Sequence, residues 1–131
     1  DTKIVLIHDA VRPLVNSKEI EEVIERTDQK GAAILASPMK LTIKKVNSSL
    51  EIIETVPRND LWMAQTPQGF KRDLIVKAYD KIKGTDVEFT DDAEVVEKAG
   101  HAVGVVSGSY DNIKITTPED LKLAELMLVK H

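Results

Sequence analysis

The chain has 131 residues, of which 42% are hydrophobic and 31% charged, and it carries a formal net charge of −4. That length supports one domain with a real core, the composition is that of a folded globular protein, and the acidic balance excludes the broad positive field of a nucleic-acid binder. The sequence holds no cysteine, which excludes disulfides, thiolate metal sites and cysteine nucleophiles.

Residues 3–13 read KIVLIHDAVRP. The apolar, β-branched run at 4–7 predicts a strand buried on both faces, as in a parallel sheet. It then changes abruptly to His8, Asp9, Arg12 and Pro13. Polar groups at the carboxyl end of such a strand stand where open α/β sheets bind ligands. The strand begins with no lead-in, so the chain is expected to be part of a larger α/β protein with an unprotected neighbour position beside this strand. Asn16, with Glu19 three residues on, has capping-box spacing and predicts a helix over 17–30, stopped by Gly31. A second buried strand follows at 32–37. Strand, helix and strand with short links form a βαβ unit, hence a parallel pair and a right-handed crossover.

Two extended stretches at 42–46 and 50–56 flank Asn47-Ser48-Ser49, a hairpin signature rich in lysine. It reads either as an arm that reaches a partner or as an edge hairpin blunted by its charges. Trp62 and Phe70 are expected as core anchors. A helix is predicted over 71–83. Thr90 is expected to cap the next helix, with Asp91 and Asp92 favouring its amino terminus through the helix dipole. A third sheet strand is expected at 102–106 and a short extended piece at 113–115. Thr117, Pro118, Glu119 and Asp120 open a terminal helix whose leucines are expected to pack.

Chain order therefore sets Asp9, Arg12, Thr42, Arg58, Thr66 and Lys114 at strand ends or turns. Three cations in such places point to a concave site for an anion: arginine offers a planar fork for phosphate or carboxylate, and lysine a point charge. Asp91 and Asp92 read as caps rather than metal ligands, and His8 as a structural histidine. The histidines His8, His101 and His131 are too scattered for zinc spacing. Glycine-rich phosphate loops are absent. No apolar run is long enough to cross a membrane and no signal-peptide pattern leads the first strand, so a cytoplasmic location without a membrane partner is expected.

The motifs HDAVRP at 8–13, TIK at 42–44, AQTPQGF at 64–70, TDDA at 90–93 and DNIKITTPEDL at 111–121 occur in this order. As a set they resemble the 2-C-methyl-D-erythritol 4-phosphate cytidylyltransferase family, and the resemblance covers the carboxyl-terminal portion of such an enzyme. It implies a Rossmann-like nucleotidyltransferase α/β fold: a mostly parallel sheet flanked by helices, one domain over 1–131, with a protruding arm at about 40–58. It also implies a homodimer through interlocked arms, CTP and methylerythritol phosphate as substrates, and Mg²⁺ bound with CTP. Asp9 and Arg12 match residues facing the substrate polyol, Thr66 a hydroxyl beside them, and Ala10 a cofactor-binding position. Lys114 matches a lysine near the phosphates, and Thr42 and Arg58 match arm residues that grip the substrate phosphate across the dimer. Arg58 and Lys114 carry the catalytic assignment. Leu41 departs from the family's usual aspartate, which keeps the sister ribitol 5-phosphate cytidylyltransferases in view. The family's glycine-rich CTP loop is not in this sequence, which leaves an inactive fragment or a non-catalytic dimerisation and ligand-binding module as the further reading.

Overall fold

A computed structural model describes residues 1–129; Lys130 and His131 lie outside the described residues. The elements in order are β1 (Ile4–Ile7), α1 (Ser17–Lys30), β2 (Ala32–Pro38), β3 (Ile43–Val46), β4 (Ile52–Val56), β5 (Trp62–Lys71), α2 (Arg72–Ile82), α3 (Asp92–Lys98), β6 (Gly104–Ser107) and α4 (Pro118–Leu128).

The main sheet has the order β1-β5-β2-β6. β5 runs antiparallel to both β1 and β2, while β6 pairs parallel with β2. Three strands thus point the same way and β5 runs against them. The expected βαβ unit is present in direction, but its two strands are not neighbours, because β5 lies between them. β5 is the element the sequence reading lacked. Pro67 and Gly69 interrupt any strand signature. The fold accommodates Pro67 because the β1 ladder ends at Gln68 and the β2 ladder skips from Ile34–Gln68 to Ala36–Ala64. The residue without an N–H therefore meets a gap in both ladders.

Helices cover both faces of this sheet. On one side Val23 of α1 packs with Leu35 and Val106, flanked by Leu6 and Val15. On the other, Phe70 and Ala32 pack with Ile75, Ala78, Ala93, Val95 and Val96, flanked by Ile7 and Ile34. The alternation of Leu6 with Ile7, and of Ile34 with Leu35, sends successive side chains to opposite cores. Gly69 in β5 has no room for a side chain: an added Cβ would collide with the Thr27 hydroxyl and press on Leu6 and Val23.

Three packing expectations are corrected. β1 is an edge strand of half-buried residues rather than a fully buried one. Trp62 is 44% exposed at the far end of β5, whereas Phe70 is fully buried. Only Ala124 of α4 is buried, and Leu121, Leu123, Leu126 and Leu128 face outward. Helix ends follow their chemistry. The Asn16 side chain accepts from Glu19 N–H, and Gly31 closes α1 in the left-handed region at φ 91°. Thr117 and Asp120 form the full capping box of α4, with proline in its first turn. At α3 the cap is Asp91 rather than Thr90, whose N–H and hydroxyl instead donate to Glu94.

Candidate active site

β1 delivers the chain into a tight turn in which Arg12 N–H donates to the Asp9 carbonyl at 3.0 Å. The same turn folds the Arg12 side chain back. Its Nε donates to Asp9 Oδ2 at 3.1 Å, and Nη1 donates to the Asn112 carbonyl at 2.7 Å. Arg12 is well covered, with its side chain 13% exposed against 33% for Asp9. Fixing a guanidinium at two donors leaves its remaining N–H groups with one orientation.

The 108–115 loop is stitched against this turn by Ile115 N–H donating to the Val11 carbonyl at 2.8 Å. That contact carries Lys114 to the site, with Nζ 3.8 Å from Asp9 Oδ2. Asn112, 1% exposed, holds the loop to β5. Its amide donates to the Thr66 carbonyl at 2.9 Å and to Gln65 Oε1 at 3.1 Å. Gln65 in turn donates to the Ser109 carbonyl at 3.0 Å. Gly108 packs closely beside it: an added Cβ would lie 2.5 Å from Gln65 Oε1 and would have to displace that side chain. On β5, Thr66 Oγ1 accepts from Asp9 N–H at 3.0 Å and meets His8 Nδ1 at 2.9 Å.

The far wall is the start of α3. Gln68, 2% exposed, donates to Asp91 Oδ2 at 2.9 Å and accepts from Ala93 N–H at 3.1 Å. Asp92 accepts from the Tyr79 hydroxyl. That hydrogen bond, then burial, then the negative charges of Asp92 and Asp91 push the Tyr79 phenol up to about 12.

Together these elements enclose a cleft of about 330 Å³ lined by Asp9, Arg12, Gln65, Thr66, Gln68, Asp91, Asp92 and Lys114, among others. Of the residues singled out in the sequence, Asp9, Arg12, Thr66 and Lys114 converge here. Ala10 is exposed in the turn and does not line the cleft. Thr42 and Arg58 stand apart. β3 and β4 form a separate two-stranded sheet, Thr42 is exposed just before it, and Arg58 Nη1 donates to the Lys40 carbonyl at 2.8 Å, closing the root of the hairpin. Among the described residues, the cleft of one chain thus presents two cations, not three, against the carboxylates of Asp9, Asp91 and Asp92. Gln65, Gln68 and Asn112 lie within the AQTPQGF and DNIKITTPEDL motifs, but the sequence reading assigns them no role of their own. Beyond the motifs, a local signal was the pair of glutamines straddling Thr66-Pro67 inside a segment flanked by apolar residues.

The sequence matches the family described as IspD, 2-C-methyl-D-erythritol 4-phosphate cytidylyltransferase, over residues 1–130. The chain belongs to this family. The 2-C-methyl-D-erythritol 4-phosphate cytidylyltransferase of Alkaliphilus oremlandii is 51% identical over 128 residues, 98% of this chain and 54% of that protein. The enzyme of that name from Desulforamulus reducens is 48% identical over 131 residues, 100% of this chain and 56% of its own length. Among solved structures, the Thermus thermophilus 2-C-methyl-D-erythritol 4-phosphate cytidylyltransferase superposes with a TM-score of 0.87 at 34% identity, covering 97% of this chain and 62% of that one. The 4-diphosphocytidyl-2C-methyl-D-erythritol synthase of Anaerococcus prevotii gives 0.89 at 34% identity, covering 97% and 57%. The nucleotidyltransferase fold is therefore this family's, with its sheet and flanking helices. The chain spans about half the length of the curated relatives it matches.

Proposed function

We propose that this chain is the carboxyl-terminal part of a cytidylyltransferase. The whole enzyme joins CTP to 2-C-methyl-D-erythritol 4-phosphate, giving 4-diphosphocytidyl-2-C-methyl-D-erythritol and pyrophosphate. The observation that carries the reading is the cleft in which Asp9, Arg12, Thr66 and Lys114, all within the family's motifs, meet around one 330 Å³ space. Relatives named for methylerythritol phosphate favour that alcohol over ribitol phosphate.

In this reaction a phosphate oxygen of the polyol attacks the α-phosphorus of CTP. One P–O bond forms there, and the bond to the departing pyrophosphate breaks. The attacking oxygen is already ionised, so no general base is required. The protein's task is to hold two polyanions in line and to spread the developing charge over cations. Arg12, held by Asp9 and the Asn112 carbonyl, and Lys114 serve the polyol and phosphates in this chain's own cleft. Arg58 and Thr42 lie outside it, and we assign them to the cleft of a second copy, reached by the hairpin. Exposed Leu41, Val46, Leu50, Ile52 and Ile53 give that hairpin an apolar surface suited to a homodimer.

Among the described residues no group of three or more His, Cys, Asp or Glu side chains is placed to hold a metal. The three cleft carboxylates are committed to Arg12 and Lys114, to Gln68 and the α3 amino terminus, and to Tyr79. The donor set does not fit a resident metal, so Mg²⁺ belongs to the reaction as a companion of the CTP phosphates. No helix among the described residues is long and apolar enough to cross a membrane. A cytoplasmic enzyme is our reading of its place in the cell.

The test is turnover by the full-length protein, followed as pyrophosphate release with each alcohol phosphate in turn. Arg58→Ala is expected to lose on the order of 10²-fold in turnover, by comparison with removal of one charge-stabilising donor. Unchanged kinetics would remove Arg58 from the site, and a preference for ribitol phosphate would overturn the substrate assignment.

A further inference from the structure

His8 has no part in the reaction as written, yet both its ring nitrogens are engaged at the mouth of the site. Nε2 lies 2.9 Å from the Arg12 carbonyl, and Nδ1 lies 2.9 Å from Thr66 Oγ1. Thr66 Oγ1 is also 3.0 Å from Asp9 N. The two ends of this chain have fixed polarity: a carbonyl oxygen only accepts, and a backbone N–H only donates. The direction of every link between them follows for a neutral imidazole. The Nε2–H donates to the Arg12 carbonyl, which leaves Nδ1 as an acceptor. The Thr66 hydroxyl therefore gives its single proton to Nδ1, and its oxygen takes the proton of Asp9 N–H. The exposed ring also borders a small apolar recess lined by Leu6, Val15, Ile20 and Pro67, none of which offers it a polar side chain.

From this geometry we infer that His8 is a positioning residue that makes Thr66 an acceptor-only group toward the substrate. A threonine hydroxyl has one proton and two lone pairs. The proton is held by His8 and one lone pair by Asp9, so a single lone pair remains for a ligand in the cleft that Thr66 lines. That lone pair receives a hydroxyl proton and repels a phosphate oxygen. Thr66 consequently faces a hydroxyl of the polyol, and the phosphate end of the alcohol is oriented away from it. The same two bonds clamp the Asp9–Arg12 turn, which is closed from the other side by Arg12 N–H donating to the Asp9 carbonyl.

The inference rests on the proposed function for its substrate and is tested by a double-mutant cycle in the full-length enzyme. His8→Ala is expected to lower kcat/KM for the alcohol phosphate about 10-fold in the parent, and less than about 2-fold when Thr66 is already valine, because residues in one hydrogen-bond chain are non-additive. The KM for CTP should stay unchanged in His8→Ala. Equal losses in both backgrounds would overturn the role assigned to His8. If the variants fail to fold, ¹⁵N NMR of the parent, with the signal assigned by His8→Gln, reads the ring directly. A protonated Nε2 beside an unprotonated Nδ1 supports the inference, and the opposite tautomer refutes it. Complete absence of cytidylyl transfer would sink the proposed function while leaving the tautomer measurement decisive for His8. Normal turnover with an additive cycle would sink the His8 inference alone.

Discussion

Asn112 ties the 108–115 loop to the sheet, and its removal has a definite energetic signature. The Thr66 carbonyl can only accept, so the Asn112 nitrogen must face it, and the same NH₂ group reaches Gln65 Oε1. Oδ1 is then turned to a buried position with no hydrogen-bond partner. Asn112→Ala strands one buried and one partly buried acceptor, each costing about 1–3 kcal/mol. It also removes the unpartnered Oδ1, whose desolvation returns about 1–3 kcal/mol. The net destabilisation expected is about 2 kcal/mol. Asn112→Asp keeps the shape but replaces the donor with a carboxylate oxygen pointed at two acceptors, and it recovers nothing. It should cost at least about 2 kcal/mol more than alanine, as burial of an uncompensated charge. Urea unfolding of the three proteins, compared at equal slope, measures both differences. The diagnostic result is the order: parent, then Ala, then Asp. A volume effect alone would make alanine the worse substitution, because aspartate fills the space. An aspartate variant as stable as alanine would refute the assigned orientation.

Phe70 is fully buried in β5 within the larger core, so Phe70→Ala should destabilise by about 3–5 kcal/mol in the same unfolding assay; a loss below about 1 kcal/mol would remove it as the anchor of that core. Tyr79 should ionise near pH 12, and absorbance titration at 295 nm of Asp92→Asn should show its midpoint falling toward the ordinary value of about 10. The sign for stability follows: folding favours the neutral phenol, so its contribution is fully present below about pH 10 and is lost as the pH rises from there through 12. An unshifted midpoint in Asp92→Asn would mean that the carboxylate does not control the phenol.

What was legible in the sequence were features written in neighbouring residues. Asn16 with Glu19, and Thr117 with Pro118 and Asp120, announce helix starts because caps act over three positions. Residues 4–7 and 32–37 announce strands because short apolar runs bounded by turn signals do so locally. β5 was not legible, since its glutamines, Pro67 and Gly69 serve contacts that only the assembled sheet creates. Trp62 and the leucines of α4 were misread for a related reason: side-chain size reports how much burial is worth, not whether a partner surface is present. At the site, Asp9, Arg12, Thr66 and Lys114 were picked out by motif and do converge. Asn112 and Gln65 stand in the same motifs but received no role, because a buried polar network has no periodicity and each member taken alone reads as a turn or surface residue.

The charge of the cleft bears on how the site is completed. Three carboxylates face two cations, and Arg12 already spends two donors within the protein. A phosphate monoester brings roughly 1.5–2 further negative charges, and two like unit charges at 4 Å repel by about 4 kcal/mol at an effective dielectric near 20. One chain's cleft is therefore suited to hydroxyl groups and poorly suited to holding a phosphate by itself. Arg58 does not supply the missing charge from its observed position, because it lies outside this cleft, at the hairpin root where it donates to the Lys40 carbonyl. The homodimer we propose accounts for this separation by bringing Arg58 to the cleft of another copy.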